Sequence, residues 1–118
     1  MGNKRLRLVL TMIFALSGGA VRSQQQTGHP VYVSCTLGDT VRSVLYMSGI
    51  FAGDSALHVR YEEGFRTNLR RTFPGVYGDA HCRMSDREQT AEHESVAELN
   101  RVSGMYRQVI PTGWVYTR

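Results

Sequence analysis

The sequence predicts an α+β domain in the order β-β-α-β-α-β, with a four-stranded mixed sheet packed with two helices and held by one disulfide. Three observations lead there. Residues 31–37 and 76–84 alternate between apolar and polar with a period of two, the pattern of half-buried strands. Between them Leu57, Tyr61, Phe65 and Leu69 recur every four residues, the apolar stripe of a helix. Ser85-Asp86-Arg87-Glu88 has the form of a capping box that opens a second helix.

The elements follow in order. In the first strand Val31, Val33, Cys35 and Leu37 share one face, and Tyr32, Ser34 and Thr36 the other. Gly38-Asp39-Thr40 reads as a hairpin loop into a second strand over residues 41–51. The run Val44-Leu45-Tyr46-Met47 predicts cover on both faces of that strand, and Gly49 and Gly53 predict a bulge or sharp exit near its end. A helix follows within residues 55–73, capped by Asp54, with Phe73 extending its stripe and Pro74-Gly75 stopping it. The third strand covers residues 76–84, with Ala80, Cys82 and Met84 on one face and His81 and Arg83 on the other. The second helix runs from the capping box to Val102 or Ser103, with Gly104 as a left-handed stop. The last strand covers residues 105–110, before a closing turn and the aromatic tail Trp114-Val115-Tyr116.

Ahead of this domain lies a segment of different character. Residues 1–7 carry Lys4, Arg5 and Arg7, residues 8–16 are uncharged and apolar, and residues 17–23 are mostly small. That is the layout of a cleaved signal peptide over residues 1–23, with a cut after Ala20 or Ser23. Nine apolar residues rise only about 14 Å as helix against about 30 Å of hydrocarbon, so no membrane span is expected after cleavage. Residues 24–29 form a polar, mobile lead-in, and residues 30–118 form the single domain. The chain of 118 residues has 14 Lys and Arg against 10 Asp and Glu, and four of the basic residues lie in the leader. The mature charges balance, so the basic excess of a nucleic-acid binder is missing.

The two cysteines of the chain fall on inward-facing strand positions. An exported protein with two cysteines is expected to pair them, which requires the first and third strands to be neighbours. A right-handed crossover from the second strand over the first gives a sheet order of about 2-1-3-4, with the last strand beside the third. The bridge closes a loop of about 47 residues, for which the chain-entropy model gives about 4 kcal/mol.

No catalytic constellation is legible. His29, His58, His81 and His93 lack the i, i+4 spacing of a helical zinc motif, and Ser34 and Ser48 lack a nucleophile elbow. Glu62-Glu63 and the series Glu88, Glu92, Glu94, Glu98 read as solvated helix faces, and the 49–53 glycines form no phosphate loop. No cofactor or metal is expected. Binding candidates are Trp114 with Tyr116, which alternation turns to one side, and the helix arginines Arg66 and Arg70 with Arg71. The competing reading of Trp114 is that it packs over the sheet edge and secures the carboxyl end.

The set Cys35, Tyr46-Met47-Ser48-Gly49-Ile50-Phe51, Phe65, Cys82 and Thr112-Gly113-Trp114 resembles small exported bacterial proteins of unassigned function. The resemblance implies a secreted, disulfide-containing α+β domain and transfers no catalytic residues. The functional expectation is a non-catalytic domain of the periplasm or extracellular space that contacts a protein or an envelope polymer, as an accessory or inhibitor subunit. The alternatives are a small envelope hydrolase, which needs at least two of His58, His81, Glu62, Glu63 and Asp54 within reach of one another in a deep pocket, and a purely structural envelope protein.

Overall fold

The ten residues Pro30–Asp39 form strand β1, whose side chains alternate between buried and half-buried along its length. In the computed structural model, which describes residues 27–117, this strand is the centre of the sheet. The signal peptide expected over residues 1–23 lies outside the described residues, as do residues 24–26 of the lead-in. His29 is tied down, its N–H donating to Ser55 Oγ at 3.0 Å and its carbonyl accepting from Ser55 N–H at 2.9 Å.

Strands β2 (Val44–Met47) and β3 (Phe51–Asp54) lie end to end along one edge of β1, both antiparallel to it. Strand β4 (Ala80–Ser85) pairs antiparallel along the opposite edge, and β5 (Gln108–Pro111) runs parallel to β2. The expected second strand is therefore one line broken in the middle. Thr36 pairs with Met47 and Val33 with Phe51, so three residues, 48–50, oppose two on β1. This is a bulge. Ser48 bridges it: its N–H donates to the Cys35 carbonyl at 2.9 Å, and its hydroxyl accepts the Cys35 N–H at 2.8 Å.

One face of the sheet is apolar. Val31, Val33, Cys35 and Leu37 of β1 join Val44, Tyr46 and Phe51 there, and helix α1 (His58–Thr72) covers them with Tyr61, Phe65 and Leu69. The four-residue spacing puts those three rings and chains on one side of the helix, and Phe65 and Leu69 have no exposed surface. Each such side chain contributes about 1.5–3 kcal/mol by leaving water. A 3₁₀ turn, Ser55–Leu57, leads into α1, and Asp54 caps it by accepting the Ala56 N–H at 2.8 Å, as the sequence predicted. Helix α2 (Glu88–Val102) lies over the other face and buries only Ala91 and Val102.

The disulfide joins Cys35 and Cys82, which stand directly opposite on β1 and β4 with Cα atoms 4.0 Å apart. Cys35 spends its backbone groups on Ser48, so the pair facing Cys82 has no ladder bonds between its members. Such positions bring strands closest together.

Several boundaries differ from the sequence reading, each for a local reason. The hairpin turn is residues 40–43, not 38–40, because Asp39 stays in β1 and its carboxylate binds the turn. Its Oδ1 accepts the N–H groups of Val41 and Arg42, both at 3.0 Å, and Ser43 closes the turn at φ 57°. The third strand begins at Ala80, not residue 76: Gly78 takes φ 133°, which no strand residue with a side chain adopts, and Tyr77 N–H is diverted to Asp39 Oδ2 at 3.0 Å. Ser85 is no helix cap. It ends β4 and gives its hydroxyl to Glu94, while the helix starts at Glu88 without a side-chain cap. Gly104 is not left-handed; the Met105 N–H closes the helix end on the Val102 carbonyl at 2.8 Å.

The last strand also changes its neighbour. The expected order put it beside the third strand, whereas β5 pairs with β2, giving β4-β1-β2-β5 with β3 in line with β2. At the middle of the outer edge of β4, α1 already holds the backbone of Cys82. Glu62 accepts the Cys82 N–H at 2.9 Å, and His58 Nε2 lies 2.8 Å from the Cys82 carbonyl oxygen. A strand edge satisfied by side chains offers no ladder to another strand.

Candidate functional site

The bulge that breaks the second strand also positions the aromatic tail. It leaves the Gly49 N–H free of the β1 ladder, and that N–H donates to the Trp114 carbonyl at 2.8 Å. One step earlier, Thr112 N–H and hydroxyl both donate to the Met47 carbonyl, at 2.8 and 2.9 Å. Residues 112–116 thus extend β5 as an arm laid against α1. Trp114 and Tyr116 turn to the same side, as alternation predicted, with Val115 pointing to solvent.

The arm is anchored by ring contacts. Trp114 lies 5.3 Å from Phe65 and 5.7 Å from Phe51 between ring centroids, and Tyr116 lies 4.9 Å from Tyr61. Such tilted and edge-to-face pairs each add about 0.5–1.5 kcal/mol beyond area burial. Gly64 in mid-helix makes room for the indole, since a Cβ there would stand 3.3 Å from Trp114 Cζ2. Trp114 therefore secures the carboxyl end and remains half-buried, with part of its ring lining a groove.

That groove, open and about 480 Å³, runs between the arm and the outer side of α1. Its helix wall is a polar stripe of Arg60, Glu63, Thr67 and Arg71, spaced three or four residues apart, with Asn68 beside Thr67. From Arg60 to Arg71 the helix rises about 16 Å. An elongated trough results, with aromatic edges on one side, an amide and a hydroxyl at mid-wall, and a guanidinium at each end.

The sequence-derived residues divide between two places. Trp114 and Tyr116 line the groove, whereas Arg66 lies 3.7 Å from Asp79 on the β4 side of the helix. Arg70 is exposed on α1 and does not line the groove. Arg71, named with them, does line it. Arg60, Thr67 and Asn68 were missed, and Glu63 was named only for the hydrolase alternative. Their spacing is visible in the sequence, but which side of α1 the arm follows is decided by β5 pairing with β2.

Three of the groups named for the hydrolase alternative, His58, Glu62 and Asp54, are engaged in structural contacts. His58 and Glu62 do approach, with Nε2 and Oε2 3.2 Å apart, but both hold the backbone of Cys82. Asp54 is occupied as a cap, and the depression containing Glu62, Glu63 and His81 is an open one between α1 and β4. Among the described residues no group of three His, Cys, Asp or Glu is arranged to hold a metal ion, and no helix is long and apolar enough to cross a membrane.

A second, smaller space lies on the other face, between α2 and strands β1 and β4. It measures about 110 Å³ and is lined by polar side chains together with Met47, Ala91 and Cys82. Ser34 Oγ and Ser95 Oγ are 2.9 Å apart, Ser85 donates to Glu94, and Arg83 binds Glu98 at 3.2 Å. Comparison of the chain with family models, with curated proteins and with solved structures finds no match.

Proposed function

We propose that this protein is an exported, non-catalytic binding module that takes a segment of an envelope polysaccharide into the groove between α1 and the aromatic arm. Kinship with small exported bacterial proteins is part of the same proposal. The observation that carries it is the composition and shape of the groove. Half-buried Trp114 and Tyr116 offer apolar ring surface to the C–H faces of sugars, while Asn68, Thr67 and Glu63 offer hydrogen-bond partners beside them. Arg60 and Arg71 suit acidic substituents at either end. A protein partner would call for a buried apolar anchor point, and the side chains that α1 contributes to the groove wall, Gly64 apart, are polar.

Export is supported by the leader pattern and by the Cys35–Cys82 disulfide, which suits an oxidising compartment. The site of action in this reading is the periplasm or the cell exterior. The anchoring of the arm supports a pre-organised site, since binding then orders few further side chains.

Co-sedimentation with purified cell-wall polysaccharide tests the reading. Oxidised wild-type protein recovered from the envelope fraction should pellet with the polymer, and the Asn68→Ala/Arg71→Ala double variant should remain in the supernatant with an unchanged circular dichroism spectrum. Equal pelleting of the two would sink the groove as the binding surface.

A further inference from the structure

We propose that the cavity between α2 and strands β1 and β4 is a second binding site, specific for a small primary ammonium group with Glu94 as its counter-ion. The argument begins with an anomaly of packing. A helix laid on a sheet for stability alone fills the interface with apolar side chains to near-crystalline density. Here hydroxyls, two carboxylates, a guanidinium and His81 share the wall with Met47, Ala91 and the disulfide around an unfilled space of about 110 Å³.

The charges in the wall are unevenly matched. Glu98 receives two arginines: Arg83 at 3.2 Å, and Arg101, whose Nη2 stands 2.8 Å from Oε2. Arg83 turns its other nitrogen to the backbone carbonyl of Glu94 at 3.5 Å, not to its carboxylate. Glu94 has the Ser85 hydroxyl on Oε1 and, among the described residues, no cation within 4.0 Å. A half-buried carboxylate with a neutral partner on one oxygen is stabilised by a cation brought from outside.

The remaining groups suit an ammonium. An R–NH₃⁺ group has three donors, and this wall offers acceptors: Glu94 Oε2, the Thr36 hydroxyl, which makes no hydrogen bond among the described residues, and the Ser34–Ser95 pair. Met47 and Ala91 supply an apolar patch for a short carbon stem. The space suits a short-stemmed amine of a few heavy atoms. A quaternary ammonium has no N–H to donate. This site lies on the opposite face of the sheet from the groove, so the two proposals stand or fall separately.

The test is a ¹H–¹⁵N titration of the oxidised protein with ethylammonium chloride, with tetramethylammonium chloride and potassium chloride at matched ionic strength. Ethylammonium should give saturable shifts centred on the amides of Ser34, Thr36, Glu94 and Ser95, and the other two salts should not. Glu94→Gln keeps an acceptor for Ser85 and should weaken ethylammonium binding at least tenfold, and Thr36→Val should weaken it several-fold. Identical shifts with all three salts, saturation by potassium alone, or wild-type affinity in folded Glu94→Gln would each overturn the assignment.

Discussion

The two faces of one strand meet two kinds of helix. On one side of β1, Val33, Cys35 and Leu37 press against Phe65 and Leu69 of α1 in a dry, closely packed layer. On the other, Ser34 and the half-buried Thr36 meet Ser95, Glu94 and Glu98 of α2 around a cavity. The difference teaches where this small domain keeps its stability and where it can bind. Apolar burial, the disulfide and the arm all gather on or beside the α1 layer, while α2 is held by Ala91, Val102 and a few polar contacts.

If that division is right, substitutions should separate the two faces clearly. The largest loss is expected for Phe65→Ala, about 3–5 kcal/mol by chemical denaturation, whereas Val102→Ala under α2 should cost about 2 kcal/mol. Equal losses would break the comparison. Next comes the bridge: replacing Cys35 and Cys82 together by Ala should lower stability by about 4 kcal/mol through the freed chain of the unfolded state, without loss of the fold's circular dichroism signature.

Acid sharpens the comparison at the hairpin end of β1. Burial pushes the Asp39 carboxyl up, but the N–H groups of Arg42 and Tyr77, with the Arg42 guanidinium, outweigh it and hold it below the usual carboxylate range. A carboxyl whose folded value is depressed contributes stability that is fully present above its unfolded value of about 3.9. That contribution is lost as pH falls through the lower folded value. Stability should therefore decline below about pH 4, and Asp39→Asn, weaker than wild type at neutral pH, should show a flatter acid limb in pH-dependent urea melts. The smallest effect belongs to the polar face: Ser34→Ala with Ser95→Ala should cost only about 1 kcal/mol, because one hydrogen bond next to a cavity is lost.

How much of this was legible in the sequence follows the same division. The strand alternation of residues 31–37, the Tyr61–Phe65–Leu69 stripe and the Asp54 cap were readable because each depends on local spacing, and the cysteine pairing because the leader pattern and the count of two cysteines pointed to it. The failures are places where a distant group won a residue from its local role. Glu94 takes the Ser85 hydroxyl that would cap α2, and Asp39 takes the Tyr77 N–H that would start the third strand sooner. His58 and Glu62 occupy the edge where the last strand was expected. The site was half-visible: alternation paired Trp114 with Tyr116, but only the parallel pairing of β5 with β2 selects the Arg60-to-Arg71 side of α1 as their opposite wall.

Trp114 is the single tryptophan of the chain, so its emission reports on the groove without any label. The most direct measurement is a fluorescence titration of the oxidised protein with soluble acidic fragments of cell-wall polysaccharide, with neutral dextran as control. The account predicts a saturable change in Trp114 emission with the fragments, absent with dextran and lost in Asn68→Ala/Arg71→Ala. Unchanged emission across the titration, or an identical response in the folded double variant, would contradict a groove that binds envelope polysaccharide.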